Sequence, residues 1–191
     1  MFLKLIEKAR TIRRFDRSKL VTDKDLMHIL ECARLTPSAA NLQRLRYITV
    51  SGDEAQSAFQ NISMGGYLPE SQKPDESVMP TSYLVIVTEN ENPDSNLMID
   101  TGITAEAIVL AAAERGIGAC IIRNFKKEYF SSLVKGDKYF PVLVIALGYP
   151  AEDAKIVPIN ESVGIKYYKN NDGVNCVPKR SLSELIVGKI G

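Results

Sequence analysis

Four short segments of this chain carry side chains whose chemistry goes beyond what packing requires. The first is RTIRRF, Arg10 to Phe15. In an extended or turn conformation Thr11 and Arg13 share a side, and a turn would bring Arg10 round so that Arg10 and Arg13, with the Thr11 hydroxyl, could converge on one phosphate. Each charge-assisted bond would contribute roughly 1.5 to 3 kcal/mol; the structural alternative is a solvated basic turn. The second is TPSAANLQ, Thr36 to Gln43. Here Pro37 stops a helix, small side chains let a planar ligand approach the backbone, and Asn41 and Gln43 offer amide donors and acceptors. Its plain reading is a helix-ending loop. The third is GIGAC into IIRNF, Gly116 to Phe125, a helix-to-strand turn. It is no dinucleotide fingerprint, since GxGxxG needs a strand before it and a helix after it. The fourth is PKRSLSEL, where Lys179 and Arg180 precede a short helix capped by Ser181 or Ser183. Two cations beside helix N-terminal amides make an anion site or, equally, a solvated basic turn.

The elements that must position these segments are predicted from patterning. Phe2 to Lys8 reads as a short amphipathic helix. A second helix runs from Thr22, which with Asp25 forms a capping box, to Leu35 before Pro37. Apolar and β-branched runs predict strands at Leu45 to Val50, Ser82 to Thr88, Ala119 to Ile122 and Val142 to Leu147. Asp100 to Arg115 is Ala-rich and apolar on most sides, as expected of a helix buried in a larger body or at a subunit interface, with Gly116 as its left-handed cap. Met64 to Pro80, with Gly65, Gly66, Pro69, Pro74 and Pro80, is an irregular surface loop. Strands separated by helices predict an α+β or mixed α/β sandwich over residues 1–187, followed by a short tail, 188–191.

Composition narrows the chemistry. The formal charge of +1, from 24 Lys and Arg against 23 Asp and Glu, sets up no global field for nucleic acid or an anionic membrane. Lys4, Glu7 and Lys8 interrupt the N-terminus, and no run approaches the roughly 20 apolar residues of a membrane span, so a cytoplasmic location is expected. Cys32, Cys120 and Cys176 lie in or beside apolar segments and are expected to be reduced. His28 is the one histidine, which removes His-rich zinc sites. It sits on a helix with apolar stripe Leu26, Ile29, Leu30 and Ala33, facing solvent or a helix edge, badly placed for a triad. No metal site is expected, and any enzymatic reactivity would come from a borrowed cofactor.

The order of the four segments is more specific than any one of them. RTIRRF, TPSAANLQ, AAAERGIGAC, ALGYP and VPKRSL stand in the order and spacing of the RRSIRxF-like, APSAGNLQP, AAxxLGLGxC, LGYP and terminal basic motifs of the nitroreductase family, which the chain resembles from about Phe2 to Ile186. Two positions depart: Ala9 stands where many relatives have arginine, and Arg44 replaces the proline that often follows NLQ. The resemblance implies an α+β sandwich with a mixed, mostly antiparallel sheet flanked by helices, in an intertwined homodimer with FMN at the interface. It implies Arg10, Thr11 and Arg13 for the FMN phosphate, ribityl chain and pyrimidine edge, with Lys179 and Arg180 closing on the phosphate. Pro37, Ser38, Ala39, Asn41 and Gln43 would come from the other subunit, and Ile122, Arg123 and Asn124 would meet the flavin N5 and O4 edge through backbone amides.

The implied activity is two-step. NAD(P)H reduces FMN and departs, and a small electron acceptor such as a nitroaromatic or quinone takes the electrons from the same face. Negative charge gathers at the flavin N1 and C2=O edge, where Arg13 would act as stabiliser. Two alternatives are a flavin-binding protein without turnover and a family member with dehalogenase-type chemistry.

Overall fold

The structure, a computed structural model, describes residues 1–66, 68–134, 138–159 and 164–191. In chain order the elements are α1 (Phe2–Lys8), α2 (Asp23–Arg34), β1 (Leu45–Ser51), α3 (Asp53–Phe59), β2 (Ser82–Thr88), α4 (Ser95–Glu114), β3 (Gly118–Ile122), α5 (Lys127–Ser132), β4 (Phe140–Gly148), β5 (Ala154–Pro158), β6 (Tyr168–Lys169), β7 (Asn175–Lys179) and α6 (Leu182–Leu185). The main sheet has the order β1-β2-β4-β3 with every neighbouring pair antiparallel. A smaller sheet, β5-β7-β6, pairs β5 and β7 parallel and β6 and β7 antiparallel. The expected α+β sandwich with a mostly antiparallel sheet is therefore the fold.

Period-two side-chain alternation explains why the sheet needs cover on both faces. In β2 every residue is buried. Leu84 and Ile86 join Leu143, Ile145 and Leu147 on the face that α2 and α4 cover with Ile29, Ala33, Ile108 and Ala112. Tyr83, Val85 and Val87 point the other way, onto Ala55 and Ala58 of α3 and Phe130 of α5.

The predicted capping box of α2 is formed, with the Thr22 and Asp25 side chains each accepting from the other's backbone N–H. Bonds from Thr22 first, then Arg115, hold the Asp25 carboxyl below its ordinary range against an opposing cost of burial. His28 lies at the helix edge, its Nε2 3.3 Å from Glu114 Oε2. Cys32, Cys120 and Cys176 are unpaired among the described residues. The predicted loop Met64 to Pro80 is irregular apart from single turns at Glu70–Gln72 and Glu76–Val78, Tyr67 lying outside the described residues.

Helix α4 begins at Ser95, five residues before the expected Asp100, because the Asp94 carboxylate accepts the Leu97 N–H at 2.8 Å and caps it there. It has the length and hydropathy of a membrane-crossing helix, which the sequence reading did not anticipate, but more than half of its most apolar window, 56%, is buried inside the chain. The burial of its Ala-rich half needs no second subunit: Ala105, Ile108, Val109 and Ala111 to Ala113 pack into the chain's own core. The apolar residues left exposed are Met98, Ile99 and Ile103, nearer its start.

Two glycines let the N-terminal segment lie against the sheet ends. A Cβ on Gly118 would fall 2.8 Å from Ile12 Cγ1, and one on Gly148 would fall 2.8 Å from Phe15 Cδ1. Phe15 is only 1% exposed and has nowhere to retreat. Gly148→Ala is therefore expected to destabilise the fold by about 1 to 3 kcal/mol through overpacking, read as a lower denaturant midpoint with an unchanged slope. An unaltered midpoint would show that Phe15 is not wedged there.

Candidate functional site

The site is built from the N-terminal segment outward. After α1, the segment from Arg10 to Phe15 crosses the ends of β3 and β4. Ile12 N–H donates to Ala119 O at 3.0 Å, and Phe15 N–H donates to Val78 O at 2.9 Å. Ile12 and Phe15 are buried. Their neighbours Arg10, Thr11 and Arg13 line a cleft of about 130 Å3 with Tyr167, Asn175, Val177 and Lys179. The predicted convergence of Arg10, Thr11 and Arg13 is thus present, and Lys179, at the end of β7, joins it.

Several contacts fix the cations. Arg10 Nη2 donates to Ile6 O at 2.5 Å, while its Nε is buried with no hydrogen-bond partner among the described residues. The Arg13 guanidinium sits over the Tyr167 ring, 4.9 Å from its centroid, a cation–π arrangement that holds the charge beside the cleft. Glu152 accepts the Arg13 and Arg14 backbone N–H groups on Oε1 at 2.6 and 3.2 Å, and the Asn175 side-chain amide on Oε2 at 2.7 Å. Cys120 is buried nearby. Burial pushes its thiol up to about 11, with Arg13 opposing and Glu152 adding to the rise, so it is a neutral thiol at pH 7 and no nucleophile.

The second predicted segment forms a strained loop. Ala40, Asn41 and Gln43 have φ of 49°, 54° and 49°, a region costly for residues with a Cβ. Three bonds hold it: Ala39 N–H to Asp100 Oδ1 at 2.9 Å, Gln43 N–H to Ser38 Oγ at 3.1 Å, and the Thr36 and Thr104 hydroxyls 3.0 Å apart. Arg44, where relatives often carry proline, pairs with the α4 cap Asp94 at 2.7 Å and ties the loop to that helix. Backbone strain maintained this way is more often found at ligand-binding positions than elsewhere.

The remaining predicted residues lie apart. Pro37, Ser38 and Ala39 line a surface hollow with Asn96, Ile99, Asp100 and Ile103, Gln43 lines a second one, and Asn41 is exposed. None of them shares the cleft of Arg10 within one chain. The Ile122 side chain is buried in the core beneath the sheet, so only its backbone is available. Arg123 borders a cavity of about 510 Å3 with Phe125 and Phe140, and the Asn124 carbonyl accepts from Ser63 N–H at 2.8 Å.

At the C-terminal motif Lys179 and Arg180 part company. Arg180 does not border the cleft; its Nη1 lies 3.4 Å from Glu184 Oε1. The start of α6 is closed by its own capping box, Ser181 with Glu184, so its terminal amides serve the chain itself. Sequence reasoning missed Glu152, Asn175 and Tyr167. Glu152 had a signal available, standing two residues after the GYP motif; Asn175 and Tyr167 had none.

Comparison with known proteins identifies the family and the fold. The model of the family described as "Nitroreductase family" matches residues 6–149. The curated Bacillus subtilis protein YdgI, provisionally named an NAD(P)H nitroreductase, is 20% identical over 188 residues, covering 80% of this chain and 90% of its own. An FMN-dependent nitroreductase from Clostridium difficile R20291 superposes with a TM-score of 0.62 at 26% identity, covering 84% of this chain and 92% of that one. A Desulfovibrio desulfuricans protein, also provisionally named a nitroreductase and solved in complex with FMN, gives 0.70 at 18% identity, covering 99% and 96%.

Proposed function

The chain belongs to the nitroreductase family, and on that premise we propose that it is an FMN-dependent oxidoreductase that uses NAD(P)H to reduce small acceptors such as nitroaromatics or quinones. The observation that carries the proposal is the cleft where Arg10, Thr11, Arg13 and Lys179 meet, with Arg10 Nε buried and unpartnered among the described residues. A buried donor left without an acceptor is costly, and a phosphate oxygen would satisfy it. FMN in the Desulfovibrio relative and in the name of the Clostridium protein supports the same choice.

In this reading Arg10, Thr11 and Lys179 hold the phosphate end and Arg13 faces the pyrimidine edge. Thr11 bridges to Ala119 at one end of β3. Arg123 follows the other end, about 13 Å along the strand, where the backbone of Ile122, Arg123 and Asn124 meets the ring edge. Pro37, Ser38, Ala39, Asn41 and Gln43, which do not line this cleft in their own chain, contribute from a second copy. Held by these residues, the flavin would supply hydride-transfer chemistry between nicotinamide and acceptor. The chain's part is to orient the ring, place Arg13 where negative charge develops and keep one face open to both reactants.

The test is the flavin and its turnover. The purified protein is expected to release FMN, about one per chain, and initial-rate plots at several fixed acceptor concentrations should give parallel double-reciprocal lines, since donor and acceptor share one face. Intersecting lines would mean that both occupy the site together. Bound flavin that neither NADH nor NADPH reduces at a useful rate would favour the non-catalytic alternative instead.

A further inference from the structure

Resting on the flavin reading above, we propose that Glu152 is the positioning residue of the cofactor cleft, the side chain that locks the arginine segment and β7 into one body. Its carboxylate is filled by N–H donors from both sides. Oε1 takes the backbone of Arg13 and Arg14, and Oε2 takes the Asn175 amide. Arg13 and Asn175 both border the cleft, and Lys179 stands four residues along the strand from Asn175. The neighbouring backbone adds to the joint: Ala151 N–H donates to Arg14 O at 2.9 Å and Asp16 N–H to Tyr149 O at 2.8 Å.

A carboxylate this near a phosphate cleft opposes the ligand's charge. Its presence is explained by what it holds. Among the described residues no ion pair joins Glu152 to Arg10, Arg13 or Lys179. The glutamate orients the backbone that carries the cations while leaving their head groups for the ligand. Groups that orient ligand-binding residues in this way commonly matter nearly as much as those residues do.

The pattern of donors and acceptors supplies a swap test. In Glu152→Gln the remaining oxygen still serves Arg13 and Arg14, but the new amide faces the Asn175 NH2 donor to donor, so Asn175 must turn its amide over to keep a bond. Adding Asn175→Asp restores an acceptor opposite that amide and returns the lost negative charge. In FMN titrations of the apoprotein, Glu152→Ala is expected to weaken binding on the order of 10- to 100-fold. Glu152→Gln should fall between it and the unaltered protein, and the double variant should return to within about threefold of the unaltered affinity. Amide hydrogen exchange at Arg13 and Arg14 should speed up in Glu152→Ala and slow again in the double variant. A double variant that binds no better than Glu152→Gln, or a Glu152→Ala protein that binds FMN normally, overturns the role. If the unaltered protein takes up no FMN, the flavin reading fails on its own and exchange decides for Glu152: acceleration that the swap reverses upholds it, and unchanged exchange removes it.

Discussion

Arg10→Ala is expected to lower FMN affinity by about 10- to 150-fold, the equivalent of one charge-assisted hydrogen bond, while far-ultraviolet circular dichroism stays that of the unaltered protein. The guanidinium borders the cleft and has one nitrogen buried without a partner among the described residues, so removing it takes away a donor that the fold leaves unused. Its other contact, to Ile6 O, closes the short helix α1, which buries no residue of its own, so the global fold survives the loss. The two C-terminal cations separate the sequence expectation from the geometry. Lys179→Ala should weaken binding in the same range, whereas Arg180→Ala should stay within about twofold, because Arg180 faces Glu184 and not the cleft. Fluorescence titration of apoprotein with FMN measures all three. Normal affinity in Arg10→Ala, or equal losses in the two C-terminal variants, would dismantle this assignment of the phosphate end.

A second large effect is expected at the start of α4. Ile99 and Ile103 are 60% and 39% exposed and share a hollow with Pro37, Ser38 and Ala39, the residues expected to act across a subunit boundary. The C-terminal residues Leu182, Leu185, Ile186, Val187 and Ile190 are exposed as well. Exposed apolar residues of this kind suit a homodimer interface, and sedimentation of the holoprotein should give twice the 21.1 kDa chain mass. Ile103→Asp would leave an uncompensated charge in that interface at a cost on the order of 3 to 5 kcal/mol. Its dissociation constant should rise by roughly two to four orders of magnitude, and flavin should leave as the subunits part. A protein that sediments at one chain mass with flavin still bound would show that Pro37 to Gln43 do not act across an interface.

The parts of the fold legible in the sequence are those whose burial is one-sided in chemistry. β2 and β4 are buried along nearly their whole length and read as continuous β-branched and aliphatic runs. α2 announces its start through Thr22 and Asp25. The small sheet was not legible: AKIVP, YK and NCVPK are short, two of them contain proline, and most of their residues are half-buried or exposed, so no period stands out. Helices α3 and α5, at 7 and 6 residues, are too brief to show an apolar stripe. The same limit governed the site. Arg10, Thr11 and Arg13 are neighbours in sequence and their convergence could be read from spacing, but Glu152 acts on them from 139 residues away. That pairing exists only once the turn after β4 lies beside the arginine segment, with Ala151 N–H bonded to Arg14 O and Asp16 N–H to Tyr149 O.

The separation between Arg13 and Glu152 also sets an order of events during synthesis. Arg13 is synthesised before Glu152, which accepts its N–H, and Glu152 before Asn175, which completes the joint. At about 5 to 20 residues per second, translating the intervening 139 residues takes roughly 7 to 28 s. Throughout that interval the Arg13 and Arg14 N–H groups lack the carboxylate that accepts them in the folded chain. The cleft that Arg13 shares with Asn175 and Lys179 takes shape only once β7 has been made, after all four strands of the main sheet.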